Sequence, residues 1–266
     1  YFDERRKDIF MPRESVPMTA GFMKQPWKNF GKVTNQGVEV SLNVNKQFGK
    51  DLFVSLMGTF TYAHNEITEK DEPSAVVGTN RAETGHPVGQ LTGYIAEGLF
   101  TADDFEDVST GKLKEGIPTQ SFVSKLRPGD IRYRDVNGDG KIDPDDRTNI
   151  GNGTPSWTFG FNFNAEWKGF DLNLFLQGVT GNKVFDATYR TDVFSGNFPT
   201  WMLGRWTGEG TSNKYPILKN GDATNWQVSD LYICDGSYLR LKNISLGYTL
   251  PKQLTQKLSI SHLRFY

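Results

Sequence analysis

Between residues 156 and 177 the chain reads SWTFGFNFNAEWKGFDLNLFLQ, and its side chains alternate with a period of two on either side of a two-residue break. Trp157, Phe159, Phe161, Phe163, Ala165 and Trp167 fall on one side; Thr158, Gly160, Asn162, Asn164 and Glu166 fall on the other. After Lys168 and Gly169 the pattern resumes, with Phe170, Leu172, Leu174 and Leu176 set against Asp171, Asn173 and Gln177. Successive side chains of a strand point to opposite faces, so this spacing predicts a hairpin with one apolar and one polar face. Rings at both ends of the apolar face match strands that cross a membrane, where aromatic residues sit at headgroup level. The fold expected from this is all-β, a transmembrane antiparallel β-barrel lined by the polar face.

Bulk properties leave that expectation open. The mean hydropathy of -0.52 would suit a soluble domain, and the sequence has no eighteen-residue apolar run for a transmembrane helix. A barrel escapes both criteria, because only alternate residues of each strand face lipid. Aromatic content of 13% with 28 glycines suits a sheet with many turns. The single cysteine, Cys234, excludes an internal disulfide. With 30 basic against 31 acidic residues there is no excess to hold a phosphate backbone, so no nucleic-acid partner is expected. The first residues, YFDERRK, carry neither an initiator methionine nor a leader, and the last interrupt an alternating run; the chain is expected to be a piece of a larger protein.

Further alternation appears at Val38, Val40, Leu42 and Val44, set against Glu39, Ser41, Asn43 and Asn45. It continues at Leu52, Val54, Leu56, Gly58, Phe60 and Tyr62, and more weakly at Ile244, Leu246 and Tyr248 and at Leu263 and Phe265, while residues 1–10 read as a strand stub. Crossings of about 10 to 13 residues are expected. Short turns at 48–51, 168–169 and 251–257 alternate strictly with long segments at 11–35, 66–155 and 180–236. In a barrel this sorts the turns to one side of the membrane and the long loops to the outside. A soluble β-sandwich is the competing reading, and it supplies no reason for that sorting. The wall facing the lumen is expected to carry Glu39, Asn43, Asn45, Asn162, Asn164, Glu166, Asp171 and Asn173.

Within the loop at 66–155, residues 135–146 read DVNGDGKIDPDD. Asp135, Asn137 and Asp139 stand at positions 1, 3 and 5 of a calcium loop, with Gly140 at the bend. Lys141 would offer its carbonyl, Asp143 a direct or water-borne contact and Asp146 the final carboxylate, and Ile142 would anchor the loop from beneath. The spacing points to a structural Ca2+ or Mg2+ ion; the alternative is a turn held by side-chain-to-backbone hydrogen bonds.

No catalytic constellation is present. His64, His86 and His262 are scattered, the serines lack a nucleophile elbow, and the paired acids are accounted for by loop solubility, so no enzyme is expected. Loop aromatics are better candidates, since rings left in long loops pack on one another or meet a partner or substrate. Tyr189, Phe194, Phe198, Trp201, Trp206 and Trp226 are the candidates, and residues 201–206 form the densest cluster.

Several phrases bear a family likeness when taken together: ERRKDI at 4–9, NQGVE at 35–39, GHPVG at 85–89, PGDIRY at 128–133, DRTNIG at 146–151 and DGSYLRLKNISLGY at 235–248. With the 156–177 hairpin, they resemble the C-terminal part of the TonB-dependent receptors of the SusC/RagA family of Bacteroidota. The likeness covers nearly the whole chain and is weakest at 101–127 and 180–225. It implies part of a barrel of about 22 strands in the outer membrane of a Gram-negative bacterium, whose N-terminal plug and TonB box are absent from this sequence. It also implies a SusD-like surface lipoprotein as partner, outer-membrane lipid around the wall, and TonB-driven uptake of glycan or peptide cargo. A passive porin and a soluble calcium-containing carbohydrate-binding module are the alternative functions.

Overall fold

The computed structural model describes residues 1–122, 125–188, 197–221, 223–256 and 259–266. One antiparallel sheet of seven strands runs in chain order through Phe2–Pro12, Trp27–Phe48, Leu52–Glu69, Trp157–Trp167, Phe170–Thr180, Tyr238–Thr249 and Arg264–Phe265. The hairpin predicted at 156–177 is present, with Trp157 opposite Thr180 and Trp167 opposite Phe170. Lys168 and Gly169 turn it with φ of 48° and 88°; two successive positive φ values match the twist of the flanking strands. The register keeps like with like. Val44, Leu56, Phe163, Leu174 and Ile244 form one row across five strands, and Asn45, Ser55, Asn164, Asn173 and Ser245 form the next row on the opposite face. A one-residue slip in any strand would mix the two faces.

The expected closed barrel is not formed. Among the described residues the first strand pairs only with the second and the seventh only with the sixth, which leaves an open sheet with two free edges. Closure requires the outer strands to hydrogen-bond each other around a tilted, staggered ring. Here the seventh strand is two residues long, and its pairs are Tyr248 with Phe265 and Thr249 with Arg264. The reading of this chain as the barrel portion of a receptor, as a membrane-crossing wall, and as the conduit of active uptake is corrected accordingly. Period-two alternation reports a sheet with unlike faces and is the same whether the sheet is open or closed. Among the described residues no helix is long and apolar enough to cross a membrane.

Two strands exceed the expected length, at 22 and 18 residues, and the stub at 1–10 is a full strand bulged between Arg6 and Ile9. The buried core lies elsewhere. Short strand pairs knit the long segments together: Gln90–Gly93 with Thr148–Asn152, Ala96–Leu99 with Ile131–Tyr133, and Lys183–Phe185 with Ile233–Asp235. Tyr94, Ile131, Tyr133 and Ile142 form one buried cluster, with Phe122 and Leu231 against it. Phe100, Phe105 and Leu126 form a second. The segments expected to be loops are thus a folded layer with its own core.

Candidate functional site

The layer is pinned by polar groups that burial makes costly to leave unpaired. Asp130 is fully buried and receives Lys219 Nζ at 3.1 Å and Asn225 Nδ2 at 3.0 Å. Arg127 N donates to the same carboxylate at 2.9 Å, Lys219 Nζ also reaches the Lys125 carbonyl, and Asn225 Oδ1 accepts from Ile131 N at 2.9 Å. Burial raises the Asp130 carboxyl above its ordinary value, against the opposing pull of Lys219. Tyr133, wholly buried, donates its hydroxyl to the Thr224 carbonyl, and burial pushes that phenol well above its usual range. Tyr232 donates to the Asn225 carbonyl. A parallel bridge from Tyr94 to Ser229 ties the two long segments once more. Sequence reasoning gave no role to Asp130, Lys219 or Asn225. Their partners lie about ninety residues away, beyond any local pattern.

The acidic loop uses its oxygens on its own backbone. Asp135 accepts from Gly138 N at 2.7 Å and Gly140 N at 2.8 Å, and the Gly140 bond chiefly holds its carboxyl below the ordinary value. Asn137 accepts from Asp139 N, and Asp139 from Lys141 N. Asp143 caps the turn Pro144–Asp146 through Asp145 N. Asp146, fully buried, accepts from Val136 N and Asp143 N at 2.8 Å each. Ile142 is buried in the first cluster beneath the loop. Asp145 meets Arg81 at 2.7 Å. Among the described residues no three His, Cys, Asp or Glu side chains converge as a metal centre needs.

The remaining expected site residues divide. Glu39, Asn43, Asn45, Asn162, Asn164, Glu166, Asp171 and Asn173 share one face of the sheet. Asn173 Nδ2 donates to Asn162 Oδ1 at 3.1 Å, Asn243 donates to Asn173 at 2.7 Å, and Arg264 pairs with Asp171. Tyr189 and Phe194 lie outside the described residues. Trp226 is half-buried in the layer, its ring edge-on to that of Tyr232 with 4.9 Å between the centroids. Trp201 packs on Tyr215 at 4.6 Å, and the Trp206 ring lies against Gly129, where a Cβ would fall 2.4 Å from it. Phe198, Met202, Leu203, Arg205, Trp206 and Ile217 line a hollow of about 730 Å³.

No family model matches the chain. The TonB-dependent receptor P3 of Formosa agariphila is 28% identical over 279 residues, covering 100% of this chain and 26% of that protein. The TonB-dependent receptor SusC of Bacteroides thetaiotaomicron is 25% identical over 262 residues, covering 92% of this chain and 23% of that protein. The chain therefore spans about a quarter of the length of the curated relatives it matches. Among solved structures, that of the RagAB peptide transporter superposes with a TM-score of 0.69 at 24% identity, over 98% of this chain and 28% of that one; this likeness is one of fold. The relatives are receptors rather than enzymes, in keeping with a sequence that offers no catalytic constellation. Sequence similarity thus ties nearly the whole chain to TonB-dependent receptors, and in general terms to the outer membrane of Gram-negative bacteria.

Proposed function

We propose that this chain is a binding module of a protein related to the TonB-dependent receptors, with recognition performed by the loop layer and the sheet serving as its base. The observation that supports this best is the layer's own core: segments about ninety residues apart are fixed by the Asp130, Lys219 and Asn225 contacts. Ordering a long connection costs roughly 1–2 kcal/mol of backbone entropy per residue, and rigid loops lower the cost of binding. The partner we propose is a SusD-like surface lipoprotein, seated on the face around Phe198, Leu203 and Trp206. The ligand is an oligomer, glycan or peptide, in an outer-membrane setting of the Bacteroidota.

Co-purification from outer membranes in mild detergent, with mass spectrometry, tests the partner. A SusD-like lipoprotein is expected in stoichiometric amount, and its absence would sink the reading. We further propose that Ca2+ stiffens residues 135–146, with side chains now bonded to backbone N–H groups turning toward the ion. EDTA is then expected to raise protease cleavage in that loop; unchanged cleavage would leave a turn held by hydrogen bonds alone.

A further inference from the structure

The side chains that pin the loop layer also meet the requirements of an acyl transfer within the chain. Asp130 and Asn225 are 0% and 1% exposed and Lys219 is 7% exposed, so the three groups meet where water is excluded. One carboxylate serves both of the others. Lys219 Nζ lies 3.1 Å from Asp130 Oδ2, and Asn225 Nδ2 lies 3.0 Å from Asp130 Oδ1. A lysine amine is a nucleophile once it has given up its proton, and a carboxamide releases its nitrogen once that nitrogen has gained one. A single group can move both protons only if it touches both nitrogens, and Asp130 does.

The rest of the carboxamide is prepared as well. Its Oδ1 accepts from Ile131 N at 2.9 Å, a fixed backbone donor at the atom where negative charge gathers during attack on Cγ. Its Nδ2 also donates to the Ile217 carbonyl at 3.0 Å, so both ends of the group are held in place. Asp130 is itself steadied by Arg127 N at 2.9 Å. Burial favours the neutral acid at Asp130, and the enclosed Ile131 follows it directly. A buried ammonium and carboxylate carry the desolvation cost of two ions. A neutral amide beside a neutral acid carries no such cost, so the site favours exchanging the one arrangement for the other.

We propose that Lys219 and Asn225 become joined by an isopeptide bond, formed by the folded chain itself with Asp130 as the proton carrier. The Lys219 ammonium passes one proton to the Asp130 carboxylate, and the freed amine attacks Asn225 Cγ. Asp130 then gives its proton to Nδ2 and takes a second from Nζ. The Nζ–Cγ bond forms, the Cγ–Nδ2 bond breaks, and ammonia leaves; nothing is oxidised or reduced. The ion pair of Asp130 and Lys219 is the state before reaction. The reaction runs once, on its own chain, so it makes the protein no enzyme. It goes beyond the recognition reading above and holds whichever partner the loop layer meets.

Tryptic peptide mapping of the intact protein by mass spectrometry is the test. Trypsin cuts after a lysine only where the amine is free. Residues 215–240 are therefore expected as one peptide, uncut at Lys219 and lighter than the sequence mass by one ammonia. Fragmentation should place the link between Lys219 and Asn225. In Lys219→Arg the peptide 220–240 is expected at its full sequence mass. That variant separates the bond from a cyclic imide at Asn220–Gly221, which would shed ammonia without any help from Lys219. Asp130→Asn keeps the shape of the side chain but cannot carry the proton, and it is expected to be cut at Lys219 and to keep its full mass. Complete cleavage at Lys219 in the unaltered protein would overturn the proposal. So would a branched peptide joining Lys219 to Asp130 with loss of water, ammonia loss that survives Lys219→Arg, or a linked peptide in Asp130→Asn.

Discussion

In the sheet, the apolar row of Val44, Leu56, Phe163, Leu174 and Ile244 crosses five strands without one fully buried member, whereas in the loop layer Ile131 and Ile142 are completely enclosed. The sheet is held by its ladder of backbone bonds and cross-strand pairs, each worth roughly 0.2–1 kcal/mol. The layer is held by tertiary burial, roughly 1.5–3 kcal/mol for each enclosed apolar side chain, and by one buried ion pair. The regular-looking half therefore has little interior, and the irregular half has most of it. Perturbations should separate the two regions cleanly.

The largest separation is expected from Asp130→Ala. Lys219 would keep its charge in a buried site with its principal acceptor gone, a loss of about 3–5 kcal/mol. Hydrogen exchange read by mass spectrometry should show amides at 94–142 and 217–233 losing protection while those at 157–180 retain it. Equal loss in the sheet would mean the two regions are one cooperative unit. Ile131→Ala comes next, at about 2–5 kcal/mol for a fully enclosed side chain. Its counterpart on the sheet, Ile244→Ala, removes a residue 64% exposed and should move the melting temperature by an amount equivalent to no more than about 0.5 kcal/mol. Comparable losses at the two isoleucines would break the comparison.

The same contrast explains what could be read in the sequence. Alternation is a local signal, so the 156–177 hairpin and the pairing of like faces at Val38 and Tyr62 or Trp157 and Tyr62 were legible. Closure was not, because it depends on what the outer strands meet and leaves no mark on period or polarity. The pin was invisible for a different reason. Asp130 and Lys219 stand in segments without periodicity, and nothing short of the fold brings them within 3.1 Å. Residues 135–146 were legible as a turn rich in carboxylates, but the spacing that suits a cation equally suits the N–H bonds seen here.

A smaller effect is expected on the sheet side from Gly169→Ala. The residue has φ of 88°, and an added Cβ would lie 2.7 Å from the Thr249 carbonyl oxygen. The strain of a non-glycine residue there costs about 1 kcal/mol or more, and the contact adds to it. Exchange should quicken at the 168–169 turn and along Tyr238–Thr249, with 94–142 unaffected. Spread of the effect into the layer would show that the hairpin end and the loop core are coupled.

The smallest expected effect belongs to the acidic loop and is read through pH. Asp135 is held below its ordinary value of 3.8, mainly by the Gly140 N–H. A carboxyl with a depressed folded pKa contributes stability that is fully present above the unfolded value and is lost as pH falls through the folded one. Asp135→Asn removes that titration while keeping an oxygen to accept the Gly138 and Gly140 bonds. The difference in melting temperature between the two proteins should therefore be constant at pH 6 and above, and shrink once the pH drops below 3.8. A difference that grows on acidification would mean that the folded carboxyl titrates above the unfolded one, so that repulsion from the other carboxylates of the loop, and not the backbone N–H groups, dominates at Asp135.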